Sequence, residues 1–361
     1  MASQCPRVQD FHIGWICAVE VEYVIASELF DEEFPETPRV SPSDDNLYTC
    51  GRMGQHQVVM ACLPKGKYGL TSAASVAKDM LRSFPALRVG LMVGIGGGAP
   101  SRQYDIRLGD VVVGTPSGCT GGVVHYESGK TLQNGHLERT GSLDAPPMPL
   151  LSAIQKLSTL HKRKGHQIAQ VIDAALTHNK RLRKVYAKPN IISDVLFESS
   201  FVHANSSSSC SEICFEHHRT LDRPARLEDM DDPVIHYGLI ASADRLMKDA
   251  QIRDDLAAKE GVLCFEMEAA GLMGRFPCIV VRGICDYSDT HKNDVWQGYA
   301  SATAAAYAKS LIYMIPNEEV AGSTPIAECQ DTCADLKVCT TIYFIYLCKK
   351  FSDTNITIEN E

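Results

Sequence analysis

The sequence predicts an α/β fold with a mostly parallel or mixed central sheet and helices on both of its faces. Two observations support this prediction. Short apolar segments rich in β-branched residues alternate with helix-forming segments along most of the chain, which is the pattern of strands joined by helical crossovers. In addition, acidic residues follow several of the apolar segments, at the edge where open α/β sheets carry their functional residues.

The predicted elements follow one another in a regular order. The first half contains apolar strands at 13–20, 57–64, 88–98 and 110–116, with a helix at 69–84. The second half contains strands at 236–242, 262–267 and 278–285, with helices from about Asp244, from Ala269 and at 297–314. One domain at 10–316 is the simplest interpretation. It follows an extension at 1–9, has irregular insertions near 117–139 and 189–232, and precedes a divergent tail at 317–361.

Composition narrows the function classes. The chain has 361 residues, 45% of them hydrophobic and 22% charged, so it can bury a full core. Its net charge of −9 argues against nucleic acid or an anionic membrane as the main partner, and a small molecule is expected instead. The 14 cysteines are scattered, the first residues do not read as a secretory signal, and no apolar run reaches the about 18 residues of a membrane span. We therefore expect a cytoplasmic protein.

Acidic residues lie at the ends of three predicted strands. Glu20 and Glu22 end the first, Glu268 stands at a strand-to-helix junction, and Asp286 ends the strand before the last long helix. An isolated acid at such a position often only starts the next helix. Together, however, the three positions could point into one cleft at the carboxyl edge of the sheet.

Five residues at 94–98 form the run Gly-Ile-Gly-Gly-Gly directly after an apolar segment. We interpret this run as a turn in which backbone amides can approach a phosphate, a sugar or a base closely. A purely structural tight turn fits equally well. The run is not a Walker loop, because no Gly-Lys-Ser/Thr follows, and it lacks the helix of a dinucleotide-binding fingerprint.

Several segments together resemble the purine and uridine phosphorylase superfamily, which includes the 5′-methylthioadenosine/S-adenosylhomocysteine nucleosidases. They are ICAVEVEY (16–23), LMVGIGGGAPSRQYDIRLGDVVVG (91–114), HYGLIASADRLMKD (236–249), FEMEAAGLM (265–273) and VRGICDYSDTHKNDVWQGYA (281–300). The resemblance is closest to a fungal branch found in NLR-like proteins. It implies a nucleoside phosphorylase-like three-layer fold, a homo-oligomer, no cofactor and no metal.

The resemblance also implies roles for individual residues. Asp286 would be the acid that protonates the purine, Glu268 would hold the ribose hydroxyls, and Glu22 would activate water. Met267 would pack on the sugar with Glu266 behind it. The remaining expected substrate contacts are Gly94, Ile95, Gly96, Gly97, Cys285, Trp296 and Leu246. Ile95 and Cys285 replace serines of typical bacterial nucleosidases, so the preferred base stays open.

Three functions remain open at this stage. The preferred one is hydrolysis of a purine nucleoside or nucleotide. The second is phosphorolysis, in which inorganic phosphate is the partner. Phosphate or a charged 5′ group would need cations, for which Lys65, Lys67 and Arg102 are candidates, as are Lys130 and Lys248. The third is a nucleoside-binding or immune-effector module without turnover.

The insertion near 189–232 contains one further pattern. Cys210 and Cys214 lie close to His203 and to His217 or His218 in the sequence. The Cys-x3-Cys spacing differs from the usual Cys-x2-Cys of zinc sites, and glycosidic cleavage needs no metal. The sequence therefore predicts no metal site here.

Overall fold

The computed structural model describes residues 6–133, 137–203, 210, 214, 219–227 and 230–328. Its strands are β1 (Ile13–Cys17), β2 (Glu32–Glu33), β3 (Tyr48–Met53), β4 (His56–Cys62), β5 (Val89–Gly98), β6 (Val111–Gly114), β7 (Val123–His125), β8 (Gly129–Thr131), β9 (Leu137–Arg139), β10 (Ile235–Ser242), β11 (Val262–Glu266) and β12 (Cys278–Asp286). Its α-helices are α1 (Glu20–Glu28), α2 (Leu70–Ser83), α3 (Met148–Lys164), α4 (Ile168–Leu176), α5 (Lys180–Tyr186), α6 (Ala250–Glu260), α7 (Ala269–Leu272), α8 (Gln297–Met314) and α9 (Asn317–Gly322).

The main sheet is mixed. Its strand order is β11-β10-β6-β12-β5-β1-β4-β3-β2, and β7 pairs with β10. The pairs β1–β4, β1–β5, β5–β12, β6–β10 and β10–β11 are parallel, whereas β6–β12, β3–β4 and β2–β3 are antiparallel. Helix α2 lies against β1 and β4, and α8 lies against β5 and β12. The predicted α/β class is thereby confirmed.

One additional pairing closes part of the sheet on itself. The end of β5 pairs with β11 in antiparallel orientation, with Gly97 opposite Phe265 and Gly98 opposite Cys264. Strands β11, β10, β6, β12 and β5 therefore form a closed ring. This closure brings the carboxyl ends of β5, β11 and β12 to one place, where the predicted acidic residues also lie.

The local sequence accounts for the central elements. Strands β1, β11 and β12 are buried along their whole lengths, which fits nearly continuous apolar runs rather than alternating ones. Helix α8 is rich in alanine, and the side chains of Ala302, Ala304 and Ala306 are fully buried. Small side chains let this helix approach β5 and β12 closely.

Four of the predictions about individual elements were wrong. The first strand ends at Cys17, and Glu20 and Glu22 lie in the first turn of α1, where acidic side chains favour a helix. The glycine run is the extended end of β5 and not a turn. The helix after β10 begins at Ala250, where Asp249 caps it. The segment predicted as irregular at 117–139 contains β7, which joins the main sheet, and the hairpin β8–β9.

Sequence patterning gave no prediction for 140–188, which contains α3, α4 and α5. At the other end, Val320 and Ile326 are buried against the main core, so packing continues past the predicted boundary at 316. Residues 329–361 of the predicted tail, and residues 1–5 of the extension, lie outside the described residues. None of the helices in the described part of the chain has the length and apolar character needed to cross a bilayer.

Candidate active site

Glu22 reaches the end of β5 from the first turn of α1. It stands at the third helical position, and its Oε2 accepts the N–H groups of Ala18 (2.7 Å) and Val19 (3.2 Å). This is the usual way in which an acidic residue caps a helix start. Its Oε1 accepts the N–H of Ile95 in β5 (2.8 Å). The carboxylate is therefore fixed between two elements, and its exposed fraction is only 3%.

Glu266 and Glu268 lie on either side of the junction between β11 and α7. The carboxylate of Glu266 accepts the N–H groups of Glu268 (3.0 Å) and Ala269 (3.0 Å), so Glu266 caps the helix. The side chain of Glu268 therefore does not cap this helix. Its carboxylate accepts the N–H groups of Gly69 and Met267, both at 3.3 Å. These distances are at the long end of the range, so Glu268 keeps acceptor capacity for another donor.

Arg282 in β12 balances the negative charge of the three glutamates. Its Nη2 donates to Glu266 and also lies 3.3 Å from Glu268 Oε2, while its Nη1 is 4.0 Å from Glu22 Oε1. The Arg282 side chain is buried, and the pKa of its guanidinium is raised because the attraction of these carboxylates outweighs the effect of burial. One buried cation thus holds three buried acids together.

Burial changes the proton affinity of two of these acids. It raises the pKa of Glu268 to about 7, against the opposing attraction of Arg282 and with a further contribution from Glu266. Burial also raises the pKa of Glu22, while Arg282 and the N–H of Ile95 act in the opposite direction. Both carboxyl groups therefore take up a proton more readily than an exposed glutamate does, which is common among functional acids.

The glycines of β5 make room for these acids. A Cβ atom at Gly94 would collide with the carboxylate of Glu22, and one at Gly97 would lie 2.6 Å from Asp286 Oδ1. Neither glycine has a positive φ angle, so glycine is not needed here to form a turn. It is needed because the acidic side chains lie close to the backbone of β5. Gly94 and Gly97 are three residues apart on β5, so Glu22 and Asp286 approach this strand at two different positions.

Asp286 ends β12 at a bulge in its pairing with β5. Its Oδ1 accepts the N–H of Ser288 (2.8 Å), and its Oδ2 accepts a hydrogen bond from Cys285 Sγ (3.0 Å) and is paired with Lys292. Burial, and then the charge of Asp286, raise the pKa of the Cys285 thiol well above its ordinary value. Cys285 therefore stays protonated and serves Asp286 as a hydrogen-bond donor, not as a nucleophile.

A cavity of about 380 Å³ opens at Asp286, which is a volume typical of small-molecule sites. The loop after β12 forms one of its walls, and the insertion forms another through Ser193, Val195 and Phe197. Lys248 and Lys292 contribute positive charge to the lining. Glu22 and Glu268 are not among the described residues that line this cavity; they lie buried beside it.

The other predicted contacts are placed as follows. Gly96 is buried in β5, and its carbonyl faces Cys285 Sγ at 3.6 Å, whereas Ile95 and Met267 are half-buried near the glutamates. Trp296 is buried and donates from Nε1 to Ser193 Oγ (3.0 Å), so it supports a wall of the cavity without lining it. Leu246 is 49% exposed and also lies outside the lining.

Most of the candidate phosphate-binding cations lie away from the cavity. Lys65, Lys67 and Arg102 are exposed, and Lys65 pairs with Glu20 (3.2 Å) on the surface. Lys130 is exposed in the hairpin β8–β9, and only Lys248 among the described candidates borders the cavity. Glu20 itself is a solvated helix-starting acid.

Sequence reasoning missed two functional residues. Arg282 is the charged residue inside an otherwise apolar strand, and a buried charge requires partners, so the segment CIVVRGIC already indicated an acidic cluster. Lys292 lies six residues after Asp286 in an irregular loop, where no periodic pattern relates the two positions. A third feature is a group of three side chains, His203, Cys214 and His291, that could hold a metal, with Cys210 Sγ 3.8 Å from His203 Nδ1. His217 and His218 lie outside the described residues.

Comparison with known proteins agrees with this architecture. No model of a known protein family matches the chain. A nucleotide-binding leucine-rich repeat (NLR)-like protein of Hyaloscypha variabilis is 41% identical over 307 residues, which are 85% of this chain and 30% of that protein. The ATP nucleosidase Cap17 of Escherichia coli is 22% identical over 294 residues, which are 80% of this chain and 48% of Cap17. The chain thus spans less than half the length of these relatives.

Solved structures share the fold. Futalosine hydrolase of Helicobacter pylori superposes with a TM-score of 0.52 at 16% identity, covering 84% of this chain and 97% of the hydrolase. The 5′-methylthioadenosine/S-adenosylhomocysteine nucleosidases of Helicobacter pylori and Neisseria meningitidis superpose equally well, at 16% and 15% identity, each with 84% of this chain and 98% of the other covered. The chain therefore shares the fold of the nucleosidases that its sequence resembles.

Proposed function

We propose that this protein hydrolyses the N-glycosidic bond of a purine nucleoside or nucleotide. The observation that carries the proposal is the gathering of three buried carboxylates, from α1, the junction between β11 and α7, and β12, around the end of β5. Glu22 approaches this strand at Gly94 and Asp286 approaches it at Gly97.

Glu22 is the proposed general base. An ionised carboxylate offers about four acceptor positions, and the N–H groups of Ala18, Val19 and Ile95 occupy three of them. One position on Oε1 remains for a water molecule. Burial raises the pKa of Glu22, so its carboxylate is a stronger base than that of an exposed glutamate. A stronger base favours removal of a proton from the water while the water oxygen attacks C1′ of the sugar.

Glu268 is the proposed partner of the ribose hydroxyls. Its long hydrogen bonds to the backbone can be exchanged for shorter ones from two hydroxyl groups, which an ionised carboxylate accepts well. Negative charge beside the sugar stabilises the positive charge that develops on the ring as the glycosidic bond breaks. Arg282 positions Glu268 and limits the repulsion among the three glutamates.

Asp286 is the proposed acid at the purine. When the bond from C1′ to N9 breaks, its electron pair moves into the base, and a proton delivered to N7 neutralises that charge. Asp286 lines the cavity and is held by Ser288 and Lys292, so its carboxyl group has a fixed orientation. Asp286 must carry a proton before it can act as the acid. The proton that it then gives to N7 is balanced by the proton that Glu22 takes from water.

The charges around Glu22 favour water over phosphate as the nucleophile. In the described chain, the cation that approaches Glu22 is Arg282, which is already paired with Glu266. Lys65, Lys67 and Arg102 stay on the surface. A phosphate dianion beside Glu22 would therefore meet negative charge without a cation to compensate for it.

One relative and several structural neighbours support a proposal for the substrate class. One is named as an ATP nucleosidase, and the structural neighbours include nucleosidases of methylthioadenosine and S-adenosylhomocysteine and a futalosine hydrolase. We propose a purine nucleoside or nucleotide on this basis. Lys248 and Lys292, which border the cavity, would favour an anionic group on the substrate.

The experiment incubates the purified chain with adenosine, guanosine, 5′-methylthioadenosine, S-adenosylhomocysteine and ATP, each with and without inorganic phosphate, and measures free base by chromatography. Base release that does not need phosphate supports hydrolysis. Release that requires phosphate identifies a phosphorylase instead. If none of the compounds yields free base while one of them binds in calorimetry, the domain is a binding module without turnover.

A further inference from the structure

The insertion carries a cluster of thiol and imidazole side chains that the proposed reaction does not use. His203, Cys210 and Cys214 come from the insertion, and His291 comes from the loop after β12. His203 Nδ1 lies 3.0 Å from Cys214 Sγ and 3.8 Å from Cys210 Sγ. One ligand atom each of His203, Cys214 and His291 lies within 4.8 Å of the others.

His291 provides a second, independent observation. Its side chain is only 4% exposed and is stacked on Phe197, with ring centroids 3.9 Å apart. Neither ring nitrogen has a hydrogen-bond partner within the described part of the chain, and Asp289 Oδ1 is 3.7 Å from Nδ1. A buried imidazole without a partner is unfavourable, whereas coordination of a cation through one nitrogen would satisfy it.

We propose that His203, Cys210, Cys214 and His291 form a structural zinc site. Two thiolates and two imidazoles are a common ligand set of structural Zn²⁺, and their softness favours zinc over calcium or magnesium. Tetrahedral zinc with its usual bond lengths places nitrogen and sulfur ligands about 3.6 Å apart. The distances of 3.0 and 3.8 Å between His203 and the two thiols lie on either side of this value.

The site would join two parts of the chain that form the walls of the cavity. His291 follows Asp286 by five residues and precedes Lys292, the partner of Asp286. The other three ligands belong to the insertion, of which His203 and Cys210 also line the cavity. Four protein ligands leave no open position for water or substrate, so the metal ties the insertion to the loop after β12 and takes no part in the chemistry.

The experiment uses the full chain without an affinity tag, purified under reducing conditions and without chelator, because a polyhistidine tag would bind zinc itself. Metal content is measured by mass spectrometry, and we expect about one zinc ion per chain. The metal is then replaced by Co²⁺, whose visible absorption reports tetrahedral geometry and whose near-ultraviolet band reports thiolate ligands. The test variant is the double substitution Cys210→Ser and Cys214→Ser, and the matched control is Cys119→Ser, an exposed cysteine outside the cluster.

We expect the control to keep its zinc and both cobalt bands, and the double variant to lose the zinc and the thiolate band. Chelation should lower the melting temperature of the wild-type chain and leave that of the double variant unchanged. The wild-type cobalt spectrum decides the matter even if the double variant fails to fold. A wild-type chain without zinc and without a thiolate band after Co²⁺ addition would overturn the proposal, as would a folded double variant that binds zinc as the control does.

Discussion

The substitution Glu22→Gln tests the role of the proposed base with little change in side-chain size. It replaces one carboxylate oxygen by an NH₂ group, while three backbone N–H groups still point at the side chain. If the NH₂ group takes the position of Oε1, Ile95 N–H loses its acceptor and Ala18 and Val19 keep theirs. One buried donor without a partner lowers the free energy of unfolding by about 1–3 kcal/mol.

The effect on catalysis should be much larger than the effect on stability. A glutamine cannot take a proton from water, and loss of a general base typically lowers the rate by about 10²–10⁴-fold. We therefore expect kcat for base release to fall by this factor on whichever nucleoside the wild-type chain cleaves, measured by chromatography of the free base. Urea denaturation gives the change in stability on the same samples.

Helix α1 supplies the matched control for this substitution. Glu20 lies two residues before Glu22 on the same helix, and its side chain is 76% exposed. Glu20→Gln removes the same charge without touching the acidic cluster, and both its rate and its stability should equal those of the wild type. A Glu22→Gln variant that is folded and releases base at the wild-type rate would refute the assignment of Glu22 as the base.

Three other predictions follow from the same cluster. Gly94→Ala places a Cβ against the carboxylate of Glu22, so kcat should fall about as far as in Glu22→Gln. Arg282→Met leaves buried carboxylates without their cation, and urea denaturation should show a loss of about 3–5 kcal/mol. Because its pKa is raised, Glu268 holds a proton in the folded chain at pH values where it has lost that proton in the unfolded chain. Glu268 should therefore make the wild type less stable as the pH rises from about 4.5 to about 7, and Glu268→Gln should abolish this contribution. The change from 4.5 to about 7 corresponds to at most about 3 kcal/mol.

Each of these predictions has its own control. Gly274→Ala adds a Cβ where no atom lies within 4 Å and should leave kcat unchanged; equal loss in both glycine variants would mean that collision with Glu22 is not the cause. An Arg282→Met variant as stable as the wild type would mean that the three acids are protonated in the folded chain. Thermal melts of the wild type and of Glu268→Gln between pH 4.5 and about 7 test Glu268, and a wild type that gains stability relative to the variant as the pH rises through this range would contradict the sign given above.

The parts of the fold that were predicted from sequence have strong local patterns. Helix α8 and strand β12 are long alanine-rich or apolar segments, and their bounds agree with the predicted ones to within one residue. Helices α4 and α5 are short, with 9 and 7 residues, and they pack against α8, whereas α3 has 17 residues and was not predicted despite its length. Strand β7 has three residues and is stabilised by its pairing with β10, which no local pattern reveals.

In the site, too, features that depend on local sequence were predicted, and contacts between residues distant in sequence were not. Asp286 ends β12 and Glu268 follows the end of β11 by two residues, so their positions at the carboxyl edge followed from the order of elements. The glycine run was predicted as a turn because glycine is common there, but the requirement for glycine at Gly94 comes from a carboxylate that is distant in sequence. The pairing of Lys292 with Asp286 and the closure of β5 on β11 depend on the three-dimensional arrangement alone.

The most direct test of the central claim follows the oxygen atom that is added to the sugar. The purified chain is incubated, in phosphate-free water labelled with heavy oxygen, with each compound from which it releases base, and the sugar product is analysed by mass spectrometry. If Glu22 activates water, free base and a sugar that carries the heavy label on C1′ must form together. A second incubation contains inorganic phosphate. Base release in this incubation alone, together with an unlabelled sugar 1-phosphate, would contradict hydrolysis.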